Sequence, residues 1–124
     1  MKFTAIGENH LYQKVYSKGK NRVGKYCVVY VLPDLHAKAL AKANPQKCRI
    51  NRIGLTVSKK LGGAVERNRC KRILREGWRS VDKERGIKCG FLVVIAARGA
   101  ALRATSADIK TELENLLESL EMLR

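Results

Sequence analysis

The sequence predicts an α/β (α+β) fold, a single domain in which three helices pack on a mixed β-sheet. A chain of 124 residues has the length of one domain. Its composition, with 45% hydrophobic and 30% charged residues, is that of a globular protein. Apolar runs of strand length alternate along the chain with segments of helical periodicity. We therefore expect one domain over residues 1–124.

The N-terminal half contains one predicted helix and two predicted strands. Residues 9–18 carry apolar side chains at helical spacing, and Gly19 follows them as a stop signal. Residues 26–32, YCVVYVL, are β-branched or aromatic and end at Pro33, which predicts a strand. A second strand is predicted over residues 50–58, where apolar residues alternate with small or polar ones.

Three connecting segments differ in character. Residues 34–48 contain Pro45 and no sustained apolar face, so we interpret them as a loop that can carry one helical turn. Residues 59–63, KKLGG, form a predicted loop that leads into a basic helix over residues 64–79. Residues 80–89, SVDKERGIKC, are interpreted as the next connection.

The C-terminal part contains a strand and the most clearly patterned helix. Residues 90–97, GFLVVIAA, are apolar nearly throughout, so we expect a central strand that is covered on both faces. Between residues 109 and 123, leucines and one isoleucine recur at helical spacing, and Thr105 or Ser106 can cap the helix start. We interpret this apolar stripe as part of the core.

The net charge of +15 indicates a polyanionic partner. The charge is concentrated in residues 1–104, which hold 24 bases against 6 acids, whereas the last twenty residues hold two bases and five acids. Nucleic-acid phosphates are the expected partner, since cations that replace their counterions gain free energy. An acidic membrane is the weaker alternative, because no apolar run approaches the roughly 20 residues that span a bilayer. The N-terminus, MKFTAIGENH, lacks the apolar core of a signal peptide, so we expect a cytoplasmic protein.

The predicted basic helix separates its charges from its apolar residues. At 100° per residue, four of its six cations and one asparagine fall within an arc of about 100°, with Arg69 at the margin. The opposite side carries apolar and small residues. The arc contains Asn68, Lys71, Arg72, Arg75 and Arg79, and the apolar side contains Cys70, Ile73, Leu74, Gly77 and Trp78.

A one-sided cationic helix indicates RNA binding. A solvated helix face is the alternative interpretation, but such faces usually mix signs and this arc contains no acid. Arginine dominates the arc, and its planar guanidinium can bind a phosphate through two hydrogen bonds or stack on an unpaired base. Lys59 and Lys60 precede the helix start, where backbone N–H groups can meet a phosphate, although no nucleotide-binding motif is present.

Three tyrosines form a possible second part of an RNA site. Tyr12 and Tyr16 lie four residues apart on one face of the first helix, and Tyr30 lies on the strand that follows. Beside a sheet they could line a groove in which extended nucleotides stack. Ordinary core packing explains the same residues equally well.

The sequence shows no protein catalytic centre or metal site. The four cysteines are about twenty residues apart and form no CxxC pair, so we interpret them as buried or half-buried thiols. The acids and the two histidines are scattered among separate predicted elements. Convergent carboxylates, or a nucleophile with its base, would be needed for a self-sufficient nuclease.

The basic helix and its flanks resemble a known family. The run VSKKLGGAVERNRCKRILRE closely resembles the RNR signature of the bacterial ribonuclease P protein component. HLYQKVYSKG is similar to that family's first helix, YCVVYVLP to its first long strand and GFLVVIAARGA to its last strand. The departures are a longer segment 34–48 and Gly63, where many members have asparagine.

The resemblance implies a fold and a function. The fold would be ordered helix, three strands, helix, strand, helix, similar to ribosomal protein S5 domain 2, with a left-handed β-α-β crossover through the RNR helix. The protein would bind the catalytic RNA of ribonuclease P and the 5′ leader of precursor tRNA. That RNA would perform the Mg²⁺-dependent cleavage that forms the mature tRNA 5′ end. The protein alone would bind no metal or cofactor and would need no obligate protein partner.

The resemblance also assigns residues to two sites. The leader cleft would contain the three tyrosines and Val28. The surface that binds RNA would contain Lys59, Lys60, Arg67, Asn68, Arg69, Lys71, Arg72, Arg75 and Arg79. A general RNA-binding or ribosomal protein is the alternative function, and a self-sufficient nuclease is a third class.

Overall fold

A five-stranded mixed sheet lies at the centre of the structure, a computed structural model that describes residues 4–5, 9–33, 51–88 and 90–123. The helices and strands, numbered in chain order, are β1 (Thr4–Ala5), α1 (Asn9–Lys18), β2 (Lys20–Val23), β3 (Cys27–Pro33), β4 (Arg52–Thr56), α2 (Ala64–Arg85), β5 (Phe91–Ala97) and α3 (Ser106–Ser119). Short 3-10 turns at Lys59–Leu61 and Gly99–Arg103 precede α2 and α3.

The strand order is β1-β4-β5-β3-β2. β5 lies between β4, to which it is parallel, and β3, to which it is antiparallel. Leu92 to Ile95 of β5 are buried, which confirms the prediction of a central strand. Because β4 and β5 are adjacent and parallel, α2 forms the crossover between them. The carboxyl ends of both strands, the start of α2 and the two 3-10 turns therefore lie at one end of the sheet.

The sheet buries a different cluster on each face. Cys27, Val29 and Val31 of β3 belong to the main core with residues of α2 and α3, such as Trp78 and Leu113. On the other face, Val15 of α1 packs with Leu92 and Val94, and Tyr12 and Tyr30 pack against this smaller cluster. Residues of β3 therefore alternate between the two faces, as the period of two along a strand requires. Among the described residues, α1 is the helix that covers the tyrosine-bearing face.

Helix α3 begins as the sequence predicts. The side chain of Thr105 accepts a hydrogen bond from the backbone N–H of Asp108, and the Asp108 carboxylate accepts one from the N–H of Thr105. This reciprocal capping box satisfies two N–H groups at the helix start. Ile109, Leu113 and Leu117 are buried, so the predicted stripe does form core.

The prediction for the basic helix was wrong at its C-terminal end. The helix continues to Arg85 instead of ending at Arg79, so most of the predicted connection over residues 80–89 is helical. Val81 extends the buried face by one turn and is fully buried. Gly86 ends the helix with a φ of 74°, and its N–H donates to the carbonyl oxygen of Asp82. A single buried valine among charged residues gave too weak a periodicity to predict this extension.

The residue pattern gave no signal for two short strands of the structure, although the order implied by the resemblance includes a strand at the position of β2. β2 is an exposed edge strand that pairs with β3, and β1 contributes two residues beside β4. Neither strand has an apolar alternation, so each is recognised as a strand only by its backbone pairing. The interpreted loop over residues 34–48 lies outside the described residues. Within the described ranges, no helix combines the length and apolarity needed to cross a membrane.

Candidate nucleic-acid interface

Helix α2 presents the predicted cationic ribbon, which we define as Asn68, Lys71, Arg72, Arg75 and Arg79. Three of these residues are exposed and two, Lys71 and Arg75, are half-buried. The other side of the helix is buried, as the helical wheel predicted, and its buried residues are Cys70, Ile73, Leu74, Gly77, Trp78 and Val81. The long arginine and lysine side chains can therefore reach a ligand while the helix stays anchored in the core.

Within the described residues the ribbon forms one ion pair, and that pair is weak. Arg72 Nε lies 4.0 Å from Glu76 Oε1, and both side chains are largely exposed. An exposed pair at this distance contributes little free energy, so a phosphate can displace the carboxylate. Val65 is 84% exposed and lies beside the ribbon in an open depression that also includes Arg69. The depression thus joins guanidinium groups to a small apolar surface on which a base or ribose can pack.

The two arginines nearest the start of α2 are placed differently from the ribbon. The Arg69 guanidinium donates hydrogen bonds to the carbonyl oxygens of Leu102 (3.0 Å) and Ala104 (2.8 Å). Arg69 therefore fastens the 3-10 turn Gly99–Arg103 to α2, and only its remaining N–H groups can meet RNA. Arg67 is half-buried, and its Nε is buried without a hydrogen-bond partner among the described residues.

The turn before α2 carries the two predicted lysines. Lys59 and Lys60 are exposed in the 3-10 turn Lys59–Leu61. Ser58 caps the start of this turn, because its hydroxyl accepts a hydrogen bond from the N–H of Lys60 at 3.2 Å. Gly63 occupies the N-cap of α2 without a side-chain cap, and a Cβ there would meet nothing within 4 Å. An asparagine would fit, so space does not explain the glycine.

Three tyrosines meet on the α1 face of the sheet. The rings of Tyr16 and Tyr30 pack edge to face with centroids 4.8 Å apart, and the Tyr16 hydroxyl donates to Thr56 Oγ1 at 3.2 Å. Tyr16 is 39% exposed, whereas Tyr12 and Tyr30 are half-buried against the smaller core cluster. The rings are thus anchored by packing, and the groove for extended nucleotides stays a prediction.

Gly54 of β4 forms the floor beneath Tyr12. A Cβ at Gly54 would lie 2.4 to 2.6 Å from atoms of the Tyr12 ring, closer than side chains approach one another. Val28 lies half-buried on β3, on the same face as Tyr30. Sequence reasoning missed Gly54 and Thr56, although an isolated glycine inside a strand is itself a signal of close approach. We call Tyr12, Tyr16, Val28, Tyr30 and Gly54 the tyrosine cleft.

The described titratable groups do not form a reaction centre. Burial raises the pKa of the Cys27 thiol, and the Glu112 carboxylate nearby raises it further. Burial also raises the pKa of Cys70, so both thiols stay protonated and weakly nucleophilic at neutral pH. Cys27 and Cys70 are buried as predicted, while Cys48 and Cys89 lie outside the described residues. In the part of the chain that the structure describes, no three His, Cys, Asp or Glu residues could jointly hold a metal ion.

Comparison with known proteins gives concordant matches. The family model described as Ribonuclease P matches residues 2–121. The ribonuclease P protein component of Clostridioides difficile is 35% identical over 108 residues, which cover 86% of this chain and 82% of that protein. The corresponding protein of Clostridium botulinum is 34% identical over 119 residues, 95% of each chain.

A solved structure has the same fold. The Staphylococcus aureus RNase P protein superposes with a TM-score of 0.75 at 30% sequence identity, over 99% of this chain and all of that one. The resemblance of the run VSKKLGGAVERNRCKRILRE is thereby confirmed by matches that extend over nearly the whole chain. The chain belongs to the bacterial ribonuclease P protein component family.

Proposed function

We propose that this chain is the protein subunit of a ribonuclease P ribonucleoprotein and that it binds both the catalytic RNA and precursor tRNA. The observation that carries the proposal is the ribbon, whose cations stand on one side of a helix that is buried on the other. Lys59, Lys60, Arg67 and the outer N–H groups of Arg69 would add to this RNA-binding surface. The whole surface extends from the turn before α2 along the helix to Arg79.

The tyrosine cleft would bind the single-stranded 5′ leader. Its rings stand on the opposite face of the sheet from the main core, and their accessible edges can stack on bases of any sequence. Tyr16 is the most exposed ring and is held by its contacts with Tyr30 and Thr56. Such a preorganised aromatic surface would raise affinity for substrates that carry a leader.

Catalysis would belong to the RNA, which would use Mg²⁺ to cleave the leader. The described aspartates have structural partners: Asp82 Oδ1 accepts from the N–H of Ile87, and Asp108 completes the cap of α3. Since these carboxylates serve helix ends, they do not converge on a reaction site. We propose that the protein acts in the cytoplasm without an obligate protein partner and adds binding energy rather than reacting groups.

The decisive experiment is cleavage of precursor tRNA by the catalytic RNA at low Mg²⁺, with and without the protein. We expect the protein to stimulate cleavage, because its cations reduce the need for Mg²⁺ to screen phosphates. No stimulation would refute the proposal, and cleavage by protein alone would identify a self-sufficient nuclease. Equal affinity for unrelated structured RNAs would instead indicate a general RNA-binding protein.

Removal of the Tyr16 ring tests the leader cleft. We expect Tyr16→Ala to weaken binding of precursor tRNA with a long leader by about 1 to 3 kcal/mol, the range for one lost stacking contact. Binding of leaderless tRNA should change little. Tyr16→Phe is the matched control, because it keeps the ring and removes only the hydrogen bond to Thr56. Equal losses for both substrates would reject a leader-binding role.

A second test fills the floor of the cleft. We expect Gly54→Ala to push the Tyr12 ring out of place, since the new Cβ would overlap it, and to reduce leader affinity without changing affinity for the catalytic RNA. The double variant Gly54→Ala with Tyr12→Ala removes the overlap and serves as the control for stability. Binding of the leader is measured in the complex with the catalytic RNA. Normal leader affinity in Gly54→Ala would show that Tyr12 makes no contact with the leader.

A further inference from the structure

A second cationic depression lies at the same end of the sheet as the start of α2. It has a volume of about 530 Å³ and is lined by Lys25, Tyr26, Gly99, Ala100, Leu102 and Arg103. This volume lies within the range of small-molecule sites. None of these residues is among the predicted site residues, because they come from two separate connections, β2 to β3 and β5 to α3.

The lining has the chemistry of a nucleotide site. Tyr26 is half-buried and gives an aromatic surface, and the Lys25 ammonium lies 5.4 Å from the centre of its ring. Arg103 is exposed and lines the same depression, and Leu102 adds an apolar surface. Within the described part of the chain, neither Lys25 nor Arg103 forms an ion pair. A base can pack against the ring and the leucine while its phosphate meets the two cations.

Glu112 is the acid next to the backbone of Lys25 and Tyr26, and its carboxylate already accepts hydrogen bonds from the protein. Its oxygens accept hydrogen bonds from the backbone N–H groups of Lys25, Tyr26 and Cys27. The carboxylate therefore braces the strand that presents Tyr26, and both of its oxygens point at backbone donors. Arg98 adds a second brace, since its guanidinium donates to the carbonyl oxygen of Gly24 at 2.8 Å. The site is built on fixed backbone rather than on a free loop.

Arg69 connects the depression at Lys25 and Tyr26 to the ribbon. It lines the other depression, the one beside Val65, together with Arg72 and Arg75. Its guanidinium also donates hydrogen bonds to the carbonyl oxygens of Leu102 and Ala104. The 3-10 turn Gly99–Arg103 therefore lies between the ribbon and the pair Lys25 and Tyr26. An RNA strand that follows the ribbon toward the start of α2 can pass over this turn and reach the depression at Lys25 and Tyr26.

We propose that the depression formed by Lys25, Tyr26, Leu102 and Arg103 binds a nucleotide of a single RNA strand, as a second contact beyond the ribbon and the tyrosine cleft. This inference rests on the proposed function, because it takes RNA as the ligand. The contact extends the protein's RNA-binding surface from one helix face around the end of the sheet.

The first test removes both charges. Lys25→Gln with Arg103→Gln is expected to weaken RNA binding about tenfold at about 0.15 M salt and to lower the salt slope by about 1.4, as two single-strand phosphate contacts would. Lys83→Gln with Lys88→Gln is the matched control, because both lysines are exposed near the far end of α2, about 30 Å from its start. Equal effects of the two double variants on RNA affinity would overturn the proposal. That result is expected if the depression binds an acidic protein, because RNA affinity would then not depend on Lys25 and Arg103.

The second test identifies the strand. With p-benzoylphenylalanine in place of Ala100, irradiation of the assembled complex is expected to cross-link the protein to RNA. The catalytic RNA and the precursor tRNA carry different labels, so the cross-linked strand is identified. A cross-link to neither RNA, in a complex that still stimulates cleavage, overturns the proposal. If ribbon variants lose RNA binding but the Ala100 variant gives no cross-link, this site alone is rejected. If the wild-type protein does not bind the RNA at all, the proposed function is rejected.

Discussion

Replacing Arg72 and Arg75 together by glutamine is expected to weaken binding of the catalytic RNA about 30-fold at about 0.15 M salt. Each contact with a phosphate of duplex RNA releases close to one counterion, so its loss lowers affinity about five- to sixfold at this salt concentration. Both side chains belong to the ribbon, and neither packs in the core. The expected change therefore concerns binding and not folding.

The salt dependence separates this effect from a general loss of charge. The slope of log affinity against log salt should fall by about two units in the double variant. Lys83→Gln with Lys88→Gln removes the same charge from the other end of α2 and should leave the slope nearly unchanged. Binding is measured by titration of labelled catalytic RNA at several salt concentrations. Identical slopes for the wild-type protein and the ribbon variant would show that these arginines face no phosphate.

Lysine in place of both arginines refines the test. Arg72→Lys with Arg75→Lys keeps the charge and should restore the salt slope, because counterion release depends on charge. Affinity should recover only in part if the guanidinium groups make paired hydrogen bonds to phosphate, since an ammonium group lacks that planar geometry. Full recovery would mean that the ribbon acts through its charge alone.

The ribbon could be predicted from the sequence because a helix has a fixed period. Once residues 64–79 are taken as helical, the 100° step alone places Lys71, Arg72 and Arg75 on one side and Trp78 on the other. The structure adds what the period cannot give. It places Arg69 against carbonyl groups of a turn that is 33 to 35 residues away in the chain.

The tyrosine cleft was only partly predictable for a related reason. Tyr12 and Tyr16 share a helix face by period, but their contacts with the sheet depend on which strand lies beneath α1. Helix α1 lies against β3 and β5, and its tyrosines also reach β4, which supplies Gly54 and Thr56 from about forty residues along the chain. The residue pattern missed strand β2 because the strand is exposed and lacks alternation, although the order implied by the resemblance includes it. The contacts of Tyr12 and Tyr16 with β4 are long-range, and such contacts leave no local signal in a sequence.

Glu112 is the clearest case of a residue whose role the sequence could not show. It lies on α3 between the buried Ile109 and Leu113, where an acid would ordinarily be read as solvated. In the structure its carboxylate reaches the start of β3, 85 to 87 residues away. Oε2 accepts from the N–H of Tyr26 at 2.9 Å and from that of Cys27 at 3.0 Å. The same oxygen lies 3.4 Å from the Cys27 sulfur.

Glu112→Ala is accordingly expected to lower the free energy of unfolding by about 3 kcal/mol. The substitution removes the acceptor of three backbone N–H groups, and an unpaired buried donor costs about 1 to 3 kcal/mol. The N–H of Lys25 lies at an exposed residue and can turn to water, which limits the total. Glu112→Gln should cost less, because its amide oxygen still accepts while its NH₂ group faces donors. Urea denaturation gives both values from the midpoint and slope.

The neighbouring glycine supplies an independent variant for the same contact. A Cβ at Gly24 would lie 2.4 Å from the carboxyl carbon of Glu112, so Gly24→Ala should displace the carboxylate and destabilise the protein. In the Glu112→Ala background the same change should cost little more, because the two variants remove one interaction. Additive losses, or a loss below about 0.5 kcal/mol for Glu112→Ala, would mean that the carboxylate does not brace β3. If it does, an acid of the C-terminal helix α3 holds the turn that carries Lys25 and Tyr26 in position.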